Sequence, residues 1–117
     1  MIGIDLTEVE RIKNSLQNEV FLTKILTQKE IEYISQFKNK EEHIAGFFSA
    51  KEAVMKALES CKEIGFKNIE ICHMPSGKPY VILNGKAKQV FESFNYTQIE
   101  ISISQTQNFA TAICFLK

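Results

Sequence analysis

The sequence predicts an α+β fold, with helices gathered in its first half and an antiparallel sheet in its second. Three observations carry that expectation. Ile44, Phe47, Phe48, Met55 and Leu58 recur at helical spacing, so residues from about Glu41 to Glu59 form a long helix. Thr97 to Ser104 alternates, with Ile99, Ile101 and Ile103 against Gln98, Glu100 and Ser102, as a half-buried strand does. Turn-forming clusters punctuate the second half at Pro75–Pro79, Asn84-Gly85 and Gln105–Asn108. The 117 residues suit a single domain over 1–117, long enough to bury a core without disulfides or a structural metal.

In chain order, the short apolar run Ile2 to Leu6 reads as a buried strand with Asp5 inside it. It is placed to join the late sheet. Thr7 offers an N-cap and Glu10, three residues on, completes a capping box for a helix with Val9, Ile12 and Leu16 on one face. Phe21 to Leu26 suits a helical turn. Thr27 and Glu30 make a second capping box, opening a helix that carries Ile31, Ile34 and Phe37. Lys38 to Glu42 is a polar connection into the long helix, and Gly65 marks a turn after it. Asn68 to His73 and Tyr80 to Leu83 are strands. Lys86 to Phe94 is a short helix with Ala87, Val90, Phe91 and Phe94 inward, and Phe109 to Leu116 is the last strand.

Composition narrows the function classes. Apolar residues make up 44% and charged residues 24%, as in soluble globular proteins. The 14 basic and 14 acidic side chains cancel, which argues against a general affinity for nucleic acid. Cys61, Cys72 and Cys114 show no CxxC spacing and are odd in number, so neither a zinc cluster nor a disulfide framework is expected. No apolar run is long enough for a membrane span, and Asp5, Glu8 and Glu10 interrupt any signal-like segment. A cytoplasmic protein with reduced thiols is the expectation.

Two carboxylates stand in unusual places. Asp5 interrupts an apolar strand, and Glu52 sits on the margin of the long helix's apolar stripe. A carboxylate drawn out of water must be paired, hydrogen-bonded or bound to a metal. Asp5 suits two roles: a strand-end residue bonding backbone at the start of the next helix, or a ligand. Glu52 and Lys56 suit a surface i, i+4 ion pair. Taken together, Asp5 and Glu52 also suit a hard cation such as Mg²⁺, which works on substrate phosphates when held by one or two carboxylates. Lys56 would then be a point charge for phosphate. The Ser76-Gly77-Lys78 turn either reverses the chain or presents backbone N–H groups to a phosphate. His43 and His73 read as partly exposed structural histidines without obvious orienting partners, and Ser49 lacks the setting of a nucleophile.

Four segments then resemble one known family in order and spacing. Gly3-Ile4-Asp5-Leu6-Thr7-Glu8-Val9-Glu10-Arg11-Ile12 resembles the first signature of the holo-[acyl-carrier-protein] synthases, the small stand-alone 4′-phosphopantetheinyl transferases. Phe48-Ser49-Ala50-Lys51-Glu52-Ala53, followed by Lys56-Ala57, resembles the second. Gly77-Lys78-Pro79-Tyr80 resembles a third, and Ser102-Ile103-Ser104 with Thr106 a fourth. The resemblance implies transfer of the 4′-phosphopantetheine arm from coenzyme A to a serine of apo acyl carrier protein, with release of adenosine 3′,5′-bisphosphate. It implies Mg²⁺ on Asp5 and Glu52 against the pyrophosphate, and Lys56 on phosphate. Coenzyme A contacts are expected at Lys56, Ser76, Gly77, Lys78, Pro79, Gln105 and Thr106. Carrier-protein contacts are expected at Arg11, Lys13, Phe21 and Lys24. The implied assembly is a homotrimer with each active site in a cleft between neighbours, serving fatty acid biosynthesis.

The chain departs from that family pattern in three places. Phe47 stands where an arginine is usual, Gln105 where a histidine is common, and Glu59-Ser60-Cys61-Lys62 where a glycine-rich segment often follows the long helix. Two other readings compete. Gly3-Ile4-Asp5 also resembles the opening of ribonuclease-H-like nucleases, but those continue with a small Gly-Thr or Gly-Ser turn where Leu6-Thr7-Glu8 stands here. A non-catalytic protein of the transferase fold is the second, motivated by Phe47 and Gln105.

Overall fold

The computed structural model describes residues 1–59 and 63–117, so the Cys61 thiol and most of the 59–62 departure lie outside the described residues. Strand β1 (Ile2–Glu8) leads into three short helices, α1 (Val9–Ser15), α2 (Glu19–Ile25) and α3 (Gln28–Ser35), and then the long helix α4 (Lys40–Ala57). A 3₁₀ turn (Phe66–Asn68) precedes strands β2 (Ile69–His73) and β3 (Pro79–Leu83), helix α5 (Gly85–Ser93), and strands β4 (Ile99–Gln105) and β5 (Phe109–Leu116). The α+β expectation is borne out. The strands form two antiparallel sheets rather than one: β1-β5-β4, and the hairpin β2-β3. The N-terminal strand does join the late sheet, pairing Ile2 with Phe115 through Glu8 with Phe109.

Helix α4 is the core of the molecule. The predicted apolar stripe understates it, because Ala45, Phe47, Ala50, Ala53, Val54, Met55 and Ala57 are all buried, while Phe48 is half-buried. Small residues let backbone approach it closely. A Cβ on Gly3 would run into the Ala53 carbonyl oxygen and lie 2.7 Å from the Ala57 nitrogen. Both are backbone atoms that cannot swing aside, so glycine sets how near β1 lies to α4. Gly3→Ala is expected to destabilise the fold by about 1–3 kcal/mol and to depress activity further by moving Asp5. A denaturant melt paired with a rate measurement checks both effects.

One buried ion pair ties the helical half together. The Lys51 ammonium is fully buried, 2.7 Å from Glu30 Oε1, and donates to the Ile25 and Phe66 carbonyls at 2.7 and 3.1 Å. Glu30 also accepts from the Thr27 and Ile71 backbone N–H groups, both at 2.8 Å. The capping box predicted at Thr27 and Glu30 is present, and its glutamate doubles as the anchor for Lys51.

Several local expectations need correction. Thr7 is not an N-cap: β1 continues through Glu8, α1 starts at Val9 without a side-chain cap, and Thr7 is buried facing α4. The first strand is not buried on both faces. Ile2, Ile4 and Leu6 are exposed by 61%, 63% and 65%, because only the Gly3, Asp5 and Thr7 side meets α4. Phe37 falls beyond the end of α3, and Phe94, at the end of α5, is exposed rather than inward. Helix α4 stops at Ala57, and Glu59, with a φ of 56°, turns the chain away.

Candidate active site

Asp5 and Glu52 meet where β1 crosses α4. Alternation along β1 points Gly3, Asp5 and Thr7 at the helix, and the absent side chain at Gly3 lets the strand settle there. The Asp5 carboxylate is held on both oxygens. Thr7 Oγ1 donates to Oδ2 at 3.0 Å, and Lys56 Nζ donates to Oδ1 at 3.3 Å. Ser49 Oγ donates in turn to Thr7 Oγ1 at 2.6 Å, so the buried hydroxyls of α4 and β1 orient the carboxylate. Thr111 Oγ1 fixes the Asp5 carbonyl at 2.8 Å. The strand-end role for Asp5 is thereby replaced by a side-chain network.

Lys56 does not form the surface pair with Glu52. It reaches back to the Ile4 carbonyl at 3.0 Å and to Asp5. Glu52 is half-buried, and burial pushes its carboxyl up from the ordinary value, with the Asp5 charge adding to the rise and Lys56 and Arg11 opposing it. A half-buried carboxylate beside a second one, as Glu52 stands beside Asp5, forms a site that favours a cation. Their donors are hard oxygens, and among the described residues no group of three or more His, Cys, Asp or Glu side chains is placed to hold a metal. A dication that needs one or two carboxylates and completes its shell with water and phosphate fits this set.

The remaining expected contacts fall elsewhere. Gly77, Pro79 and Gln105 line a pocket with Tyr33, His43, Phe47, His73 and Ile103. Ser76 and Lys78 are exposed in the same β2–β3 turn, where Gly77 takes a φ of 92° that suits glycine. Nine positions separate His43 from Glu52 on α4, about two and a half turns, so the pocket and the carboxylates lie on opposite faces of the helix. Thr106 is engaged locally, its Oγ1 accepting from Phe109 N at 3.1 Å and Asn108 N at 3.3 Å. Arg11 and Lys13 are exposed on α1 and Lys24 on α2, while Phe21 packs half-buried against Phe48, ring centres 6.3 Å apart.

The histidines were underrated by sequence. His43 Nδ1 lies 3.1 Å from Gln105 Nε2, and its ring stacks on Phe37 at 3.9 Å. His73 stacks on Tyr33 at 4.1 Å. Their partners come from other elements, so no spacing along the chain could reveal them.

The profile of the 4′-phosphopantetheinyl transferase superfamily matches residues 1–114. The chain belongs to that superfamily. Among curated proteins similar to this transferase is the holo-[acyl-carrier-protein] synthase of Thermoanaerobacter sp. (strain X514), 47% identical over 93% of this chain and 80% of its own. The synthase of Clostridium acetobutylicum is 42% identical, with coverage of 99% and 95%. Among solved structures, the Helicobacter pylori synthase in complex with coenzyme A superposes with a TM-score of 0.87 at 34% identity, covering both chains completely. The Bacillus anthracis synthase, in complex with CoA (3′,5′-ADP), gives 0.81 at 34% identity over 98% and 93%. Membership in the transferase superfamily displaces the nuclease reading, and among the described residues no helix is long and apolar enough to cross a membrane.

Proposed function

We propose that this enzyme transfers 4′-phosphopantetheine from coenzyme A to a serine of apo acyl carrier protein. The observation that carries the reading is the Asp5–Glu52 pair at the β1–α4 crossing, with Lys56 beside it. The serine oxygen bonds to the phosphorus that bears the pantetheine arm. The bridging P–O bond breaks, and adenosine 3′,5′-bisphosphate leaves. Such displacement depends on positioning and charge neutralisation rather than on a protein nucleophile. That agrees with Ser49 being buried and hydrogen-bonded to Thr7.

Asp5 and Glu52 would hold Mg²⁺, which supplies charge stabilisation to the pyrophosphate oxygens when bound. Asp5 is the fixed member, because Thr7 and Lys56 hold both its oxygens. Glu52 is the member whose carboxyl is pushed up by burial, so it, or water it holds, takes the serine proton. Lys56 Nζ, half-exposed, supplies a positive charge beside the transferred phosphoryl group. Arg11, Lys13 and Lys24 give α1 and α2 exposed cations for an acidic carrier-protein helix, with Phe21 as the apolar contact.

The enzyme works as a homotrimer in this reading. The outer face of β1-β5-β4 supports it: Ile2, Ile4 and Leu6 register beside Phe115, Ile113 and Thr111, and the apolar members are 38–65% exposed in a single chain. Patches of that kind mark interaction surfaces. A site between neighbours also accounts for carboxylates and pocket lying on opposite faces of α4. Ile4→Glu with Ile113→Glu is expected to convert the trimer to monomer and to abolish transfer, read by light scattering and by rate. A double variant that stays trimeric removes this sheet face from the interface. A cytoplasmic setting in fatty acid biosynthesis follows from this substrate pair.

The direct test is incubation with apo carrier protein, coenzyme A and Mg²⁺, followed by mass spectrometry of the carrier. A carrier that gains no phosphopantetheine, where a control transferase modifies it, sinks the reading.

A further inference from the structure

Among the described residues, four polar or charged side chains are buried: Thr7, Glu30, Ser49 and Lys51. Glu30 and Lys51 form the ion pair that ties the helices together. Thr7 on the inward side of β1 and Ser49 on α4 meet each other instead, and their hydroxyls lead to Asp5. A hydroxyl taken out of water is costly unless it is bonded, and valine or alanine would fill these positions without that cost. The two hydroxyls therefore have a task beyond packing.

Proton counting fixes the direction of this chain. A carboxylate accepts, and each hydroxyl has one proton to donate. Thr7 gives its proton to Asp5 Oδ2 at 3.0 Å, which leaves its oxygen to accept from Ser49 at 2.6 Å. Ser49 has a second acceptor within reach, the Ala110 carbonyl at 3.3 Å. Asp5 Oδ2 is thus turned inwards, towards Thr7, Ser49 and Ala110, which are 1%, 0% and 1% exposed. Oδ1 is on the open side, where Lys56, its side chain 51% exposed, stands 3.3 Å away. Each carboxylate oxygen offers two lone pairs, so Oδ1 can serve Lys56 and a second cation. The closed surroundings of Oδ2 leave no room there for an ion and its waters.

We propose that Thr7, backed by Ser49, is a positioning residue that sets the metal preference of the site: it makes Asp5 a one-oxygen ligand, and so favours a small dication such as Mg²⁺ over a large one such as Ca²⁺. The inference rests on the transfer reading above, with Asp5 as a ligand. Mg²⁺ demands a near-octahedral shell, keeps several waters and binds through one or two carboxylates together with substrate phosphate. One fixed oxygen from Asp5 suits that shell. Ca²⁺ takes about six to eight oxygens at longer distances, and a carboxylate that offers both of its own helps to supply them. For Asp5 to chelate in that way it must rotate and bring Oδ2 outwards. The rotation breaks the bond from Thr7 and leaves the hydroxyl chain only the longer, uncharged contact with Ala110. Hydrogen bonds to a charged acceptor are about twice as strong as neutral ones, so the rotation is opposed. Thr7 and Ser49 act through Asp5 and not on the substrate.

The test measures Tm of the unmodified enzyme, Thr7→Val, Thr7→Ser and Ser49→Ala against magnesium chloride and calcium chloride at constant ionic strength. Asp5→Ala is the blank for binding elsewhere on the protein. A ligand that binds only the native state raises Tm with its concentration, so each series gives an apparent Kd. Thr7→Val removes the hydroxyl and keeps the branched shape, and Ser49 then turns to Ala110. Its ratio of Mg²⁺ to Ca²⁺ affinity is expected to fall by about tenfold, the size of one hydrogen bond to a charged group. Thr7→Ser keeps the hydroxyl and is expected to keep the ratio. Ser49→Ala is expected to lower it by less, and to change nothing further when added to Thr7→Val. If Thr7→Val does not fold, Thr7→Ala removes the same hydroxyl and carries the test. An unchanged ratio in Thr7→Val, or an equal fall in Thr7→Ser, overturns the proposal. If the enzyme modifies its carrier and binds Mg²⁺ through Asp5 while the ratio ignores Thr7, this inference alone fails. If Mg²⁺ shifts Asp5→Ala as much as the unmodified enzyme, or no transfer occurs, the underlying reading fails and takes this inference with it.

Discussion

Glu52→Gln is expected to lower kcat/KM for phosphopantetheine transfer by at least about a hundredfold, or about 2.7 kcal/mol of transition-state stabilisation. The substitution keeps the shape of the side chain and removes its charge, so the fold at the β1–α4 crossing is preserved. A second readout separates lost metal binding from lost positioning. A ligand that binds only the native state raises Tm with its concentration. Mg²⁺ should therefore raise Tm in the unmodified protein and leave Glu52→Gln unmoved. The pH dependence without Mg²⁺ has a definite sign as well. The Glu52 carboxyl lies above its ordinary value, because of burial first and Asp5 second. The unfolded chain therefore loses this proton at lower pH than the folded one, and stability falls as pH rises between the two values. Glu52→Gln should melt higher than the unmodified protein at pH 7.5, and the advantage should vanish below about pH 4, where the unfolded carboxyl is also protonated. A variant within a few-fold of normal activity, or one still stabilised by Mg²⁺, means Glu52 is not a ligand. Asp5→Ala should be equally inactive.

Lys51→Met should be the most destabilising single change, at about 3–5 kcal/mol, the usual consequence of removing one partner of a buried ion pair. That is a large share of the roughly 5–15 kcal/mol by which domains are stable. The cause is specific: Glu30 is left charged and buried with two backbone N–H donors, and the Ile25 and Phe66 carbonyls lose their donor. A lower denaturant midpoint with an unchanged slope is the expected signature. Lys51→Met with Glu30→Gln should recover part of the loss, because no unpaired charge remains. A single-variant cost below about 1 kcal/mol would contradict the buried-pair account. Lys51 also differs in kind from its neighbour in sequence: it holds α2, α3, α4 and β2 together, whereas Glu52 is half-buried beside Asp5.

Much of this was legible without coordinates. Periodicity placed α4 and β4 within two residues of their observed ends, and β5 at its observed bounds, because long amphipathic patterns are robust. The capping box at Thr27 and Glu30 was readable because both partners lie within one helical turn. The same pattern misled at Thr7 and Glu10. There the β1–β5 ladder runs past Thr7 and turns its hydroxyl to Asp5, so tertiary pairing outweighed a local cap. Alternation in β1 was visible too, but it states only that neighbouring side chains point oppositely. Which side is covered depends on where α4 lies.

Residue order thus settled which elements form and which two carboxylates are unusual, since both follow from chemistry within a few positions of the chain. Packing settled who meets whom. Lys56 turned from Glu52 to Asp5, Lys51 found Glu30 across 21 positions, and His43 found Gln105 across 62. Such pairings are choices among distant partners, made by backbone approach, as at Gly3 and Gly46, and by the need to satisfy every buried charge.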